Sequence, residues 1–229
     1  MKVNKKFWKD KKVLITGSQG MIGRELKEEL ILREARVYEA DLKLDDDLRN
    51  FKECLDKCDG VDYVFHLAGI KGNPRMTKER PFDFIGPMLQ FDTNMIIAAL
   101  QRKVKKFLYT SSIAVLNPQS DVYPAWAKQT AENLIEAIRI QYKNDKNITK
   151  YCIVRPSNVY GRFDNFENPD AMAVTKLIKQ ALIGDFEVWG DGSEIRDFIN
   201  AKDAARAMIL VMENMPSNPI NIGSGNAYT

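Results

Sequence analysis

The heptapeptide Gly17-Ser18-Gln19-Gly20-Met21-Ile22-Gly23 sets three glycines three positions apart, a spacing able to cradle a pyrophosphate. Gly17 would let the chain turn off a strand, Gly20 would let backbone approach the phosphates, and Gly23 would let the next helix pack closely on the sheet. The N–H groups at the helix start beyond Gly20 would face the anion, so Gln19, Met21 and Ile22 join the glycines as candidate cofactor-binding residues. Three glycines alone are a common loop. Here they follow the strand-like run of Val13, Leu14, Ile15 and Thr16 and precede an amphipathic segment at 24–32, the context that a dinucleotide site requires.

A second strand-like run, Arg36 to Ala40, ends on Asp41, near the distance at which an acid meets the adenosine ribose. Its carboxylate can accept from both ribose hydroxyls, whereas a 2′-phosphate would meet like charge, so NAD is favoured over NADP. Arg33 and Lys43 are close enough in sequence to leave NADP open, and an acidic turn residue is the plain alternative. Further along, Phe107 to Thr110 reads as a strand that feeds Ser111 and Ser112, hydroxyls at a carboxyl end where ligands collect or, equally, caps of a turn. His66 is the only histidine. Lying in the apolar run 61–67, it reads as a packed and satisfied side chain rather than a base. Leu67, Ala68 and Gly69 after it are small or apolar enough to lie against a cofactor.

The bulk numbers exclude several classes. The 229 residues carry a net charge of +3 with both signs interspersed, which gives no nucleic-acid footprint. Cys54, Cys58 and Cys152 are an odd, scattered set, consistent with a reducing cytoplasm, and they lack the companions of a zinc site. No metal is expected. No apolar stretch approaches the ~20 residues of a membrane span, and the first residues lack a signal-like apolar region. A soluble cytoplasmic protein is expected.

The elements that must position these residues alternate. Beyond Asp41 there is little room for a full third strand before a helix reaching about Leu55. A turn-rich loop at 71–87, a helix at 88–102, a helix at 124–142 and a strand at 151–154 follow. Strands alternating with helices imply right-handed crossovers and a parallel doubly wound sheet, an α/β Rossmann fold. After Arg155-Pro156 come a helix at 171–183, strand-like pieces at 186–189 and 195–200, and a helix at 202–214. The expected division is a Rossmann domain at 1–156 and a mixed segment at 157–229 with substrate-binding elements. Because the sequence stops just after a strand, a truncated chain or an unusually short one is expected.

Together these residues resemble the extended short-chain dehydrogenase/reductase family of nucleotide-sugar epimerases, dehydratases and reductases. The marks are the Gly17–Gly23 turn, His66-Leu67-Ala68-Gly69, Asn94, Ser111-Ser112, Lys128, Arg155-Pro156-Ser157-Asn158-Val159-Tyr160-Gly161, and 190–198. The resemblance implies that Asp41 holds the adenosine ribose, Asp47 and Leu48 the adenine edge, and Lys128 the nicotinamide ribose. It implies that Ser112 hydrogen-bonds the reacting sugar oxygen and that Asn158 and Arg196 hold the diphosphate; an exposed ion pair and a turn residue are their plain alternatives. The family's base is a tyrosine four residues before the lysine, on the same helix face. Here that place holds Pro124, and Tyr123 stands one residue further back. A one-residue slip turns a side chain by ~100°. Proline favours the first helical position, which would make Tyr123 a cap with non-helical dihedrals, able to be re-aimed. Tyr123 as working acid/base and a site that has lost it both stay open.

Within the family, the residues look most like GDP-fucose synthase and UDP-sugar 4-epimerases. The cysteine and histidine that the former's double epimerisation needs are matched by Ala114 and Met172, and its arginine for NADP by Asp41. The Asp-Glu pair of 4,6-dehydratases is matched by Ile113-Ala114. The resemblance therefore implies hydride exchange at one sugar carbon, as in a 4-epimerase or a keto-sugar reductase, with Ser112, Lys128 and Tyr123 as catalytic candidates. The rival expectation is a member that binds NAD and a nucleotide sugar without turnover, as a binding or assembly partner. A homodimer through the helices at 88–102 and 124–142 is also implied, although Ile135, Ile138 and Tyr142 could equally be core.

Overall fold

The computed structural model describes residues 4–72, 74–120, 122–167, 173–184, 193 and 195–226. The chain opens with α1 (Lys5–Trp8), β1 (Lys12–Thr16), α2 (Met21–Ile31), β2 (Arg36–Ala40), α3 (Phe51–Cys58) and β3 (Tyr63–His66). There follow α4 (Pro74–Glu79), α5 (Phe82–Gln101), β4 (Lys106–Thr110), α6 (Val122–Gln141), β5 (Lys150–Pro156) and β6 (Asn158–Tyr160). The last elements are α7 (Ala173–Ile183), β7 (Phe198–Asn200), α8 (Ala201–Asn214) and β8 (Ile220–Ile222).

Six strands form one parallel sheet in the order β2-β1-β3-β4-β5-β8, with β6 and β7 paired beside it. Alternate side chains explain the two layers. Leu14, Val64, Phe107 and Ile153 face α5 and α6, while Val13, Ile15, Phe65 and Cys152 face α2 and α8. This is a doubly wound Rossmann fold. The edge strand β2 leads straight to α3 through a short 3-10 turn at Leu42–Leu44, as the scant spacing after Asp41 requires. Trp8, fully buried, closes the second layer by donating from Nε1 to Glu213 Oε1 at 2.6 Å.

Several boundaries depart from the sequence expectation. The stretch 71–87, expected as loop, contains α4 and the first turn of α5. Proline at 87 reads as a helix breaker, yet α5 runs through it from Phe82, because proline forfeits one backbone bond while Phe84, Met88 and Phe91 keep the helix anchored in the core. Helix α6 begins at Val122, two residues before Pro124. The first turn of a helix has no intrahelical acceptor for its N–H groups, so proline loses nothing there. The piece at 186–189 and Met172 lie outside the described residues. Ile135 and Ile138 belong to the core, and Tyr142 packs against it.

Candidate active site

The carboxyl ends of β1, β3 and β4 open onto one cleft with a side pocket, and the glycine turn lies between them. The turn is fixed by sterics. Gly17 has φ +65°, and a Cβ there would stand 2.8 Å from the Ala68 nitrogen. A Cβ on Gly23 would stand 2.4 Å from the Gly17 carbonyl oxygen, so the helix start can lie on the turn only without a side chain. Helix α2 then starts at Met21 with Gly20 as its cap residue and no side chain capping it, which leaves its first N–H groups to an anion.

Asp41 sits where the turn meets the end of β2. Its carboxylate accepts from the Gln19 N–H at 2.9 Å and the Lys43 N–H at 3.0 Å, so it is held in place with lone pairs to spare. Arg33 cannot serve a 2′-phosphate from its place, since it is buried and ion-paired with Glu29 at 2.6 Å. The side pocket is lined by Asp41, Asp47, Leu48, Ala68, Ile70 and Phe91. Asn94 donates to the Leu48 and Arg49 carbonyls at 3.1 and 2.9 Å, tying this wall to α5. Arg49 grips Asp47 through two nitrogens, and that hydrogen bonding holds the Asp47 carboxyl below its usual range.

The main cleft is lined by all the turn residues predicted to hold the cofactor, by Leu67, Ala68 and Gly69, and by Ser112 and Lys128. Ser112 caps a 3-10 turn, its Oγ accepting from the Ala114 N–H at 3.1 Å. Both readings of the serine thus meet in one place: it caps and it faces the cleft. The neighbouring Thr110 and Ser111 hydroxyls also line the cleft, and each is buried without a hydrogen-bond partner. Such orphaned hydroxyls call for a polar ligand. Ser111 reads with Ser112 as a hydroxyl at a strand end, whereas Thr110, Lys71 and Thr77, which line the same cleft, do not read as site residues. Their only sequence signal was position after a strand or a helix start.

Three predicted residues lie outside both the cleft and the side pocket. Tyr123 is the second residue of α6, not a cap, because the helix starts at Val122. Its ring lies edge-on to Trp126, 5.8 Å between centroids, and is 37% exposed. Five helical positions put it ~140° around the axis from Lys128, whereas Pro124 is only ~40° away and does line the cleft. Asn158 donates from Nδ2 to the Asp197 carbonyl at 3.0 Å across the β6–β7 pair. Arg196 is exposed just before β7. Asp197 accepts from Ser224 and Gly225 N–H groups, and these with the Ser224 hydroxyl outweigh burial and hold its carboxyl below the usual range.

His66 is fully buried, with Nδ1 2.7 Å from Thr16 Oγ1 and Nε2 2.9 Å from Asp92 Oδ1, so it is a satisfied core residue. The three cysteines are free and buried, and burial pushes each thiol up to about 12. Among the described residues no group of three potential ligands could hold a metal, and no helix is long and apolar enough to cross a membrane.

A dinucleotide fits this arrangement on three counts: a turn that any Cβ at 17 or 23 would block, an uncapped helix start, and a carboxylate at the ribose end in place of a cation. The chain is similar to GDP-L-colitose synthase of Yersinia pseudotuberculosis, 26% identical over 249 aligned positions that take in 95% of this chain and 78% of that protein. It is 28% identical to GDP-L-fucose synthase 1 of Arabidopsis thaliana, over 96% of this chain and 75% of that one. The solved structure of a UDP-N-acetylglucosamine 4-epimerase from Methanobrevibacter ruminantium M1, in complex with UDP-N-acetylmuramic acid, superposes with a TM-score of 0.84 at 26% identity, covering 96% of this chain and 79% of that one. The model of the NAD dependent epimerase/dehydratase family matches residues 13–223, nearly the whole chain including every wall of the cleft, and the protein therefore belongs to that family and uses its cofactor, NAD.

Proposed function

We propose that this protein exchanges hydride at one carbon, C4, of a nucleotide sugar, as an epimerase or a keto-sugar reductase. The observation that carries the reading is that the glycine turn, Asp41, Ser112 and Lys128 share a single cleft. Bound NAD supplies the hydride acceptor or donor. Asp41 takes the adenosine ribose hydroxyls, Asp47 and Leu48 flank the adenine, and Lys128 holds the nicotinamide ribose. Because Ser112 Oγ already accepts from Ala114, its own proton is available to donate to the sugar oxygen. Asn158 and Arg196 hold the diphosphate from the β6–β7 pair. The substrate is a nucleotide sugar. A cytoplasmic setting is in keeping with three unpaired thiols, and a homodimer forms through α5 and α6, with α6 presenting Trp126 and Ile140 outward.

A second reading, binding without turnover, is favoured by one observation: Pro124 occupies the cleft wall four residues before Lys128, and Tyr123 does not line the cleft. Tyr123 enters the reaction only by leaving Trp126. Turnover of the preferred sugar by the wild type, Ser112→Ala and Tyr123→Phe separates the readings. Hydride exchange predicts a loss of about a hundredfold for Ser112→Ala and less than about a twofold change for Tyr123→Phe. A wild type that binds NAD and sugar but turns over none of them supports the second reading, and a large loss for Tyr123→Phe would return the phenol to the site.

A further inference from the structure

Beneath the cleft lies a chain of buried polar side chains of which only Lys128 lines the cleft itself. Asp92 is the only charged residue between Phe84 and Gln101, and it is 1% exposed. Its Oδ1 faces His66 Nε2 at 2.9 Å, and its Oδ2 receives the Tyr109 hydroxyl at 2.6 Å and Lys128 Nζ at 3.3 Å. Lys128 Nζ also stands 4.8 Å from the centre of the Tyr109 ring. On the far side, Thr16 Oγ1 lies 2.7 Å from His66 Nδ1 and accepts the Ala68 N–H at 3.2 Å.

One placement of protons satisfies every member. Thr16 donates to Nδ1, His66 carries its proton on Nε2 and donates to Asp92, and Asp92 is a carboxylate accepting from three groups. Burial works against that charge, but Lys128, His66 and Tyr109 together outweigh it and hold the carboxyl below its usual range. Burial likewise keeps His66 neutral, despite Asp92. A carboxylate this deep stays ionised only beside a cation, and among the described residues the one ion pair Lys128 makes is with Asp92.

We propose that Asp92 is the positioning residue of Lys128, fixing its ammonium at the floor of the cleft, while Tyr109 and the sole histidine fix the carboxylate in turn. The proposal rests on the reading that Lys128 holds the nicotinamide ribose. It gives the lysine an anchor in a protein whose cleft lacks a tyrosine on the adjoining turn. Through Thr16 the same network also holds Ala68, whose backbone forms the opposite wall. Besides Asp92 on α5, the groups facing Lys128 are Tyr109 on β4 and, one turn along α6, Glu132, which is occupied by Arg155 at 2.9 Å.

The test is calorimetric titration of NAD into the full chain, Asp92→Asn, Lys128→Met and the double variant. Each single variant is expected to weaken binding about tenfold, and the double variant to be no weaker than Lys128→Met. Multiplying losses, about a hundredfold in the double variant, would show Asp92 acting on the fold alone and overturn the proposal. Wild-type affinity in Lys128→Met would instead overturn the reading of Lys128 as a cofactor residue, and the proposal with it. Should Asp92→Asn fail to fold, Tyr109→Phe removes one donor and leaves every charge in place. Its loss of about threefold should then vanish in the Lys128→Met background, and persistence there would contradict the proposal.

Discussion

The two ends of the cleft are built by different means. At the adenosine end the geometry is set by backbone: Gly17 at φ +65°, Gly23 against the Gly17 carbonyl, Asp41 held by two N–H groups, and the Leu48–Arg49 wall tied down by Asn94. At the sugar end it is set by where individual side chains are aimed: Ser112 capping a turn, Lys128 drawn to Asp92, and Pro124 on the wall in place of a phenol. A backbone-built site tolerates few substitutions and keeps its ligand. A site built from aimed side chains can lose or exchange a member while the fold stays intact.

The sharpest way to break the contrast is at the adenosine end. Gly23→Ala forces its Cβ into the turn and is expected to cost about 3 kcal/mol of stability, with NAD binding weakened about a hundredfold, as read by melting and calorimetry. Near-normal binding would mean that the turn yields. Asp41→Ala should have the next largest effect, weakening NAD about tenfold while leaving NADP less changed, since only the ribose hydroxyls lose their acceptor. At the sugar end the expectation reverses. Pro124→Tyr places a phenol four residues before Lys128 in the first turn of α6, where proline contributes no backbone bond, and melting should move by less than about 1 kcal/mol while turnover rises several-fold. Unaltered turnover would show that the missing phenol does not limit the reaction. The smallest effect is with acid. Asp92 has a lowered pKa when folded, so its contribution is complete above roughly pH 4 and is lost as pH falls through the folded value. Melting should therefore be flat in this respect between pH 6 and 8 and fall below pH 4, and Asp92→Asn should remove that part of the slope.

What could be read from the sequence follows the same division. Gly17, Gly23, Asp41 and the alternation of strands and helices declare themselves because sterics and period leave one solution, and the short run after Asp41 indeed holds no strand before α3. Helix starts were less legible. Pro87 and Pro124 look like breakers in one dimension, but both are carried inside helices, one anchored by core side chains and the other placed in a first turn where an N–H is not needed. That small error decided the direction in which Tyr123 points. The Asp92 network was half legible: a lone histidine in an apolar strand requires partners, but only the packing of α5 against β3, β4 and α6 shows that Asp92 and Lys128 answer it. The anchoring of residues 224–225 by Asp197 left no sequence signal, since it depends on the start of β7 lying beside the end of β8.

The central claim is hydride exchange on a nucleotide sugar, and the most direct measurement incubates the protein with NAD and a panel of UDP-, GDP- and dTDP-sugars. Reduced nicotinamide is followed by absorbance and the sugar products by NMR. The account predicts one sugar that yields its C4 epimer or the matching keto form, with transient reduced cofactor and a requirement for Ser112 and Lys128. Tight binding of NAD and of a nucleotide sugar, with neither reduced cofactor nor any altered sugar across the panel, would contradict it.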